Sequence, residues 1–333
     1  MTRRDPASEV PDLDGLWDRI AEDVLRFHQA EATLWTGRID FLPPGQDLVA
    51  RGQATADGRL LLSRPLVVEP LSRLYAEGPG VLSDPRLAVR CWRGIKAAAH
   101  ELGHLTAPAD WTMADRLRDL DRDQQDPAEE GFIEALTHRE TPAMVRRVLP
   151  AELGEPLARA VAAQGEAVRP SYPGWTIAAN VFAGELGAEF EELRADDVLL
   201  AGARESASRR PGALADLMIS RSSLPGLLQD PRRAAAFRSE LADLIGDGFA
   251  GLAEVETVKS AGLQRGERIA GAAIEKVRTG ELFYAQMADF GGVAFDRGIA
   301  PAAGAVGSPP AQDHGKGGGT RGPASDKGKE GRG

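Results

Sequence analysis

Ala97-Ala98-Ala99-His100-Glu101-Leu102-Gly103-His104-Leu105 is the stretch that decides how this chain reads. Two imidazoles stand four residues apart, with a carboxylate directly after the first. On a helix that spacing stacks His100 and His104 on one face, where both can bind a single metal. Glu101 then sits about 100° round the helix, beside the metal rather than on it, where it can deprotonate a bound water. The flanks supply the helix. Asp84-Pro85 reads as an N-cap followed by proline at the first helical position. Leu87, Ile95, Ala98, Ala99, Leu102 and Leu105 form an apolar face, and Thr106-Ala107-Pro108 ends the run. The expected helix has about twenty residues and is roughly 30 Å long. Its alanines and Gly103 keep side chains small, so another element can approach closely.

A second helix starts at Asp126-Pro127-Ala128-Glu129-Glu130-Gly131-Phe132-Ile133-Glu134. Asp126 can cap it, Pro127 fits its first turn, and Glu129 completes a capping box. It is expected to end before Thr141-Pro142. Glu130 and Glu134 are four apart and share a face, which His138 continues by another turn.

The His-Glu-x-x-His pattern resembles that of the zinc-dependent metallopeptidases. The Glu-Gly-Phe-x-Glu stretch resembles the glutamate helix of the gluzincins, their thermolysin-like branch. The resemblance implies a Zn2+ cofactor held by His100, His104 and Glu130, with one position left open for water. Glu134 would hydrogen-bond a ligand histidine and fix its tautomer. Glu129 is the rival third ligand, set behind Glu130 because capping occupies it locally. It also implies a zincin-like fold: an α+β, predominantly helical chain with a small antiparallel sheet, an active-site helix and a glutamate helix. The substrate would be a peptide or protein. Glu101 would be the general base, and Tyr172, in Ser171-Tyr172-Pro173-Gly174-Trp175, is the first choice for the oxyanion donor, with a packing role at a helix start as its competing reading. His138 could line the cleft, extend the shell around the ligands or simply suit the helix dipole. No Gly-x-Met-Glu-Asn of the zinc aminopeptidases and no His-x-x-Gly-x-x-His continuation of the metzincins is present.

Before the motif helix, Trp35 to Leu42 reads as a short strand. Asp47 to Ala56 and Arg59 to Ser63 flank the hairpin signal Asp57-Gly58. Gly58 to Ser63 is the candidate edge strand for a substrate peptide, although its leucines suit a buried central strand equally well. Leu13, Leu16, Trp17, Ile20, Val24 and Phe27 recur at helical spacing, so residues 1–34 carry an amphipathic helix ahead of the metal-binding core at 35–150. Residues 151–297 read as helical: Glu155 to Val168, Trp175 to Leu193, Asp197 to Ser208, Ala213 to Ser220, Pro231 to Val255 and Gly266 to Asp289. Residues 298–333, rich in Gly, Ala, Pro and Ser, are expected to be disordered.

The chain's net charge of −10 argues against nucleic-acid binding. Its single cysteine, Cys91, excludes an intramolecular disulfide and lies about 13 Å along the helix from His100, too far to share a metal. Met1-Thr-Arg-Arg-Asp-Pro is followed by polar residues rather than an apolar run. No signal peptide or membrane span is therefore expected, and the expected location is the cytoplasm. The long C-terminal helices and tail offer surface to a protein partner, so a non-catalytic scaffold keeping the fold is the alternative to an enzyme. A di-iron bundle built on Glu101 and His104 would need a second Glu-x-x-His, and Glu134 to His138 is spaced four rather than three.

Overall fold

Two hydrophobic cores meet along a pair of crossing helices, and the motif lies where they meet. The computed structural model describes residues 13–108, 110–115, 126–165 and 169–297. The expected tail from residue 298, and the last three residues of the helix expected at 155–168, lie outside them. Short turns aside, the chain runs α1 (Leu13–His28), β1 (Ala32–Thr33), β2 (Ile39–Phe41), β3 (Gly52–Ala54), β4 (Leu60–Leu62), α2 (Glu69–Glu77), α3 (Pro85–Gly103) and β5 (Thr106–Ala107). There follow α4 (Pro127–Val148), α5 (Ala151–Ala162), α6 (Pro173–Glu189), α7 (Ala195–Arg204), α8 (Arg210–Ser220), α9 (Pro231–Ala250) and α10 (Lys259–Arg297). The result is a predominantly helical α+β protein. Residues up to Ala288 cluster as one unit and those from Asp289 as another. No described helix is long and apolar enough to cross a membrane.

The motif helix α3 forms where its caps place it. The Asp84 carboxylate accepts from Arg86 N–H at 2.9 Å, and Pro85 occupies the first position. Leu87, Cys91, Ile95, Ala98, Ala99 and Leu102 are buried against α1, α2 and β4 in the first core. His104 is the C-cap but keeps helical backbone angles (φ −63°, ψ −18°), so the one-turn relation to His100 survives the helix end.

The expected antiparallel sheet is mixed. Its strand order is β2-β4-β3, with β3 antiparallel to β4 but β2 parallel to it. After β2 the chain crosses through Pro43-Pro44-Gly45 and a 3-10 turn at Gln46–Leu48 to the far edge, and the hairpin then returns β4 between its neighbours. The hairpin loop is the three residues Ala56-Asp57-Gly58, closed by Thr55 and Arg59, with Gly58 in the left-handed region at φ +77°. Gly58 to Ser63 is therefore the central strand, with Leu60 and Leu62 fully buried; β2 and β3 are the two edges, and β3 is the one against α3. β1 and β5 form a separate antiparallel pair.

α4 departs from expectation at its end. It runs through Pro142 to Val148 instead of ending before Thr141-Pro142. Proline removes one N–H and one ladder bond. The continuation buries Met144, Val145 and Val148 in the first core, and this gain outweighs the lost bond. The front of α4 belongs to the second core: Phe132, Ile133 and Leu136 pack with Trp175 and Phe182 of α6 and Leu199 of α7. α4 is thus clamped at both ends by different cores, with α3 crossing between.

Gly103 shows how closely they cross. A Cβ there would stand 2.9 Å from Ile133 and 3.3 Å from the ring of His28, which is completely buried at the end of α1. Burial, helped by His104 and His100, pushes His28 down to about 3, so it is neutral in the fold. An unfolded His28 takes a proton near pH 6.5 and the folded one does not. Between these values the unfolded state binds more protons, so this contribution is lost as pH falls from about 6.5 towards 3. Denaturation of His28→Gln followed over that window should give a flatter dependence than the wild type, by up to about 1.4 kcal/mol per pH unit. Parallel curves would place the acid sensitivity elsewhere.

Candidate metal centre

α3 and α4 bring three donor atoms to one point. His100 Nε2 and His104 Nε2 lie 3.2 Å apart, and Glu130 Oε2 lies 3.0 Å from the first and 3.7 Å from the second. Two ligands about 2.05 Å from a tetrahedral zinc are separated by roughly 3.3 Å, so the triangle has the size such an ion requires. His100, His104 and Glu130 are the cluster the described residues offer for a metal ion.

The far sides of the rings explain why these nitrogens face one another. His104 Nδ1 meets Glu129 Oε1 at 2.6 Å. His100 Nδ1 lies 3.1 Å from Glu134 Oε2, a bent contact that falls short of a hydrogen bond. With its Nδ1 proton directed to a carboxylate, each neutral imidazole turns an Nε2 lone pair toward the shared point. Two lone pairs at that distance repel unless a cation lies between them. The electrostatics agree. Burial opposes charge on His100, but Glu130 and Glu134 outweigh it and lift the ring to about 9. Burial also opposes charge on His104, but Glu130 and Glu129 hold it well above the usual imidazole range. Against its own burial, Glu130 is held far below the usual carboxylate range by His104 and His100. The pocket is built to favour positive charge, whether protons or a metal supply it.

The roles of three supporting residues escape a reading of the sequence. Glu129, expected to close a capping box, is the acceptor for His104 and also faces Arg210, 3.6 Å away. Arg210 is almost fully buried and donates to Asp126 Oδ2 at 2.8 Å, which locks the start of α8 onto the start of α4. Lys96, one turn before His100, is buried and pairs with the fully buried Glu134. Glu134 also accepts from Ser171 N–H at 2.6 Å. The signal for Lys96 was its helical spacing, which puts it on the His100 face. Nothing local distinguishes it from a solvated lysine.

Glu101 projects to the edge strand. Its Oε2 accepts from Ala54 N–H at 2.8 Å, one of the outward-facing amides of β3. A Cβ on Gly52 would stand 2.7 Å from Glu101 Cγ, so glycine there makes room for the carboxylate. Tyr172 caps α6 and stacks on Trp175, with its ring 5.9 Å from that of His100. His138 stands edge-on to Trp92 at 5.8 Å, and its Nδ1 is buried without a hydrogen-bond partner. Burial and, after it, nearby Lys96 lower its affinity for a proton. Cavities open on both sides of the cluster. One of about 240 Å³ lies by His104 and Glu130, and one of about 440 Å³ lies by His100 and Glu134, with Glu101 on the wall of each.

Comparison of the chain with protein-family models, with curated proteins and with solved structures finds no match.

The pairing of Lys96 with Glu134 makes a quantitative prediction. Lys96→Met leaves a buried carboxylate short of its cation and should cost about 3 kcal/mol in chemical denaturation. Adding Glu134→Gln should recover part of that loss. A single variant as stable as the wild type would mean that Glu134 draws its compensation from Ser171 and His100 alone.

Proposed function

We propose that this protein is a zinc-dependent metallopeptidase of the gluzincin type, with the sheet, α3 and α4 as its zincin-like core. The observation that carries the reading is the convergence of His100 Nε2, His104 Nε2 and Glu130 Oε2, with a carboxylate behind each imidazole. This donor set, two nitrogens and one carboxylate oxygen, is that of a catalytic zinc with an open position.

His100, His104 and Glu130 would hold the zinc, which would supply Lewis acidity towards a water and a peptide carbonyl. The protein does the rest. Glu134 and Glu129 hold the ligand rings in one tautomer and raise their basicity. Glu101, steadied at Oε2 by Ala54, takes the proton from water and delivers it to the departing amine. The outer edge of β3 turns the amide of Gly52 and the carbonyls of Gly52 and Ala54 outward, where an extended peptide can add as a further strand, the Ala54 amide being kept for Glu101. Tyr172, beside His100, is the candidate donor to the developing oxyanion.

A scaffold that keeps the metal site without turnover is the second reading. One feature favours it: α10 exposes Leu282, Phe283 and Met287, apolar surface suited to a protein partner. Glu101 separates the two.

Elemental analysis of purified protein should give about one zinc per chain, lost in Glu130→Ala. Glu129→Ala and Glu134→Ala should weaken zinc by roughly 10- to 100-fold. Glu101→Gln should keep the metal while peptide hydrolysis falls by about 10²- to 10⁴-fold. A folded wild type that takes up no zinc sinks the metal site. One that binds zinc, cleaves nothing and is indifferent to Glu101→Gln is the scaffold.

A further inference from the structure

The larger cavity has a cationic wall. α3 contributes Arg93 and Lys96 on the face that leads to His100. Across from them stand Arg51, where the chain turns into β3, and Arg169, on the segment leading to α6. The carboxylates on this wall are committed elsewhere. Glu134 is taken by Lys96, His100 and Ser171 N–H, and Glu101 by Ala54 N–H. Arg51 has no carboxylate within ion-pair distance among the described residues. Burial and the neighbouring Arg93 both weaken its hold on its charge. Half-buried guanidinium groups that repel one another are relieved by an anion placed between them. The cavity on the His104 side has the opposite character, lined by Asp126, Glu129, Glu130 and Glu205, with Arg210 tied to the first two.

We infer that the cavity beside His100 binds a substrate carboxylate, making the enzyme selective for acidic peptides; this rests on the peptidase reading above. The spacing sets where that carboxylate lies. At 1.5 Å per residue along α3, Arg93 is about 10 Å from the level of His100, Lys96 between them being taken by Glu134. An extended peptide advances about 3.3 Å per residue, so the carboxylate lies two or three residues from the scissile bond. The acidic wall of the other cavity repels it there, so the preference falls on one side of the bond only. An Asp or Glu side chain and a C-terminal carboxylate both offer the planar pair of oxygens that arginine grips.

The test uses the full-length, zinc-loaded protein on a peptide mixture, prepared with free and with amidated C-termini and read by mass spectrometry. Cleavage sites should be enriched in acidic residues two or three positions to one side. A matched substrate with Gln for Glu should lose at least roughly tenfold in kcat/KM, the scale of a charge-assisted contact. Arg51→Ala should erase that discrimination with zinc content unchanged, and Arg51→Lys should restore part of it. A preference kept by amidated peptides assigns the contact to a side chain, and one lost on amidation to the chain terminus. Equal kcat/KM for the Glu and Gln substrates together with equal kcat/KM for free and amidated C-termini overturns the carboxylate site, as does discrimination that survives both Arg51→Ala and Arg93→Ala. Either result leaves the peptidase reading standing. No cleavage of any peptide by zinc-loaded protein overturns both.

Discussion

Two imidazole nitrogens held 3.2 Å apart, both turned inward, are the constraint on which the rest of this structure depends. Neutral rings would not choose that arrangement, because their lone pairs repel. It is imposed from behind by Glu129 and Glu134, which take the Nδ1 side of each ring, and a proton or metal ion at the common point would relieve it. Both carboxylates, and Glu130 between them, come from the first two turns of α4. The site therefore requires α4 to cross α3 at one height and one rotation, since a shift of a single residue would turn these carboxylates away from the rings.

The two cores provide that registration. The front of α4 is held by Phe132 and Ile133 in the second core, and its far end by Met144, Val145 and Val148 in the first. A helix packed at both ends cannot slide without opening cavities, and filled cores resist that strongly. This explains why α4 continues through Pro142. A helix ending there would have forfeited its second anchor. Arg210 and Asp126 fix the start of the same helix, so its first turn is held by charge where its middle is held by packing.

The legible part of the protein was the local part. Helix α3 could be placed because Asp84, Pro85 and the apolar period lie within a few residues of one another, and the spacing of His100, Glu101 and His104 then dictates their faces. The front of α4 was legible through Asp126 and Pro127 for the same reason. What could not be read depends on distant partners. Glu129 looked like a capping residue because its partner His104 lies 25 positions upstream. Lys96 carries no local mark of burial because its partner Glu134 lies on another helix. The leucines at 60–62 were compatible with an edge or a centre. Only the crossover after β2, which no residue pattern announces, puts them in the middle and leaves Gly52 and Ala54 on the open edge.

The burial of charge bears on which functional reading is the more economical. Lys96, His100, Glu134 and Arg210 are all nearly inaccessible, and a buried ion pair is often no more stable than the apolar side chains that could replace it. A protein that used this region only to hold its shape would gain nothing from filling it with mutually dependent charges. The network has another consequence. It fixes two ring orientations, steadies one carboxylate on a strand edge and leaves an acidic cavity on one side of the cluster and a cationic one on the other. Under the proposed peptidase reading each of these would serve a reaction at the point between them, beyond joining α3 to α4. That favours a working site over a vestige.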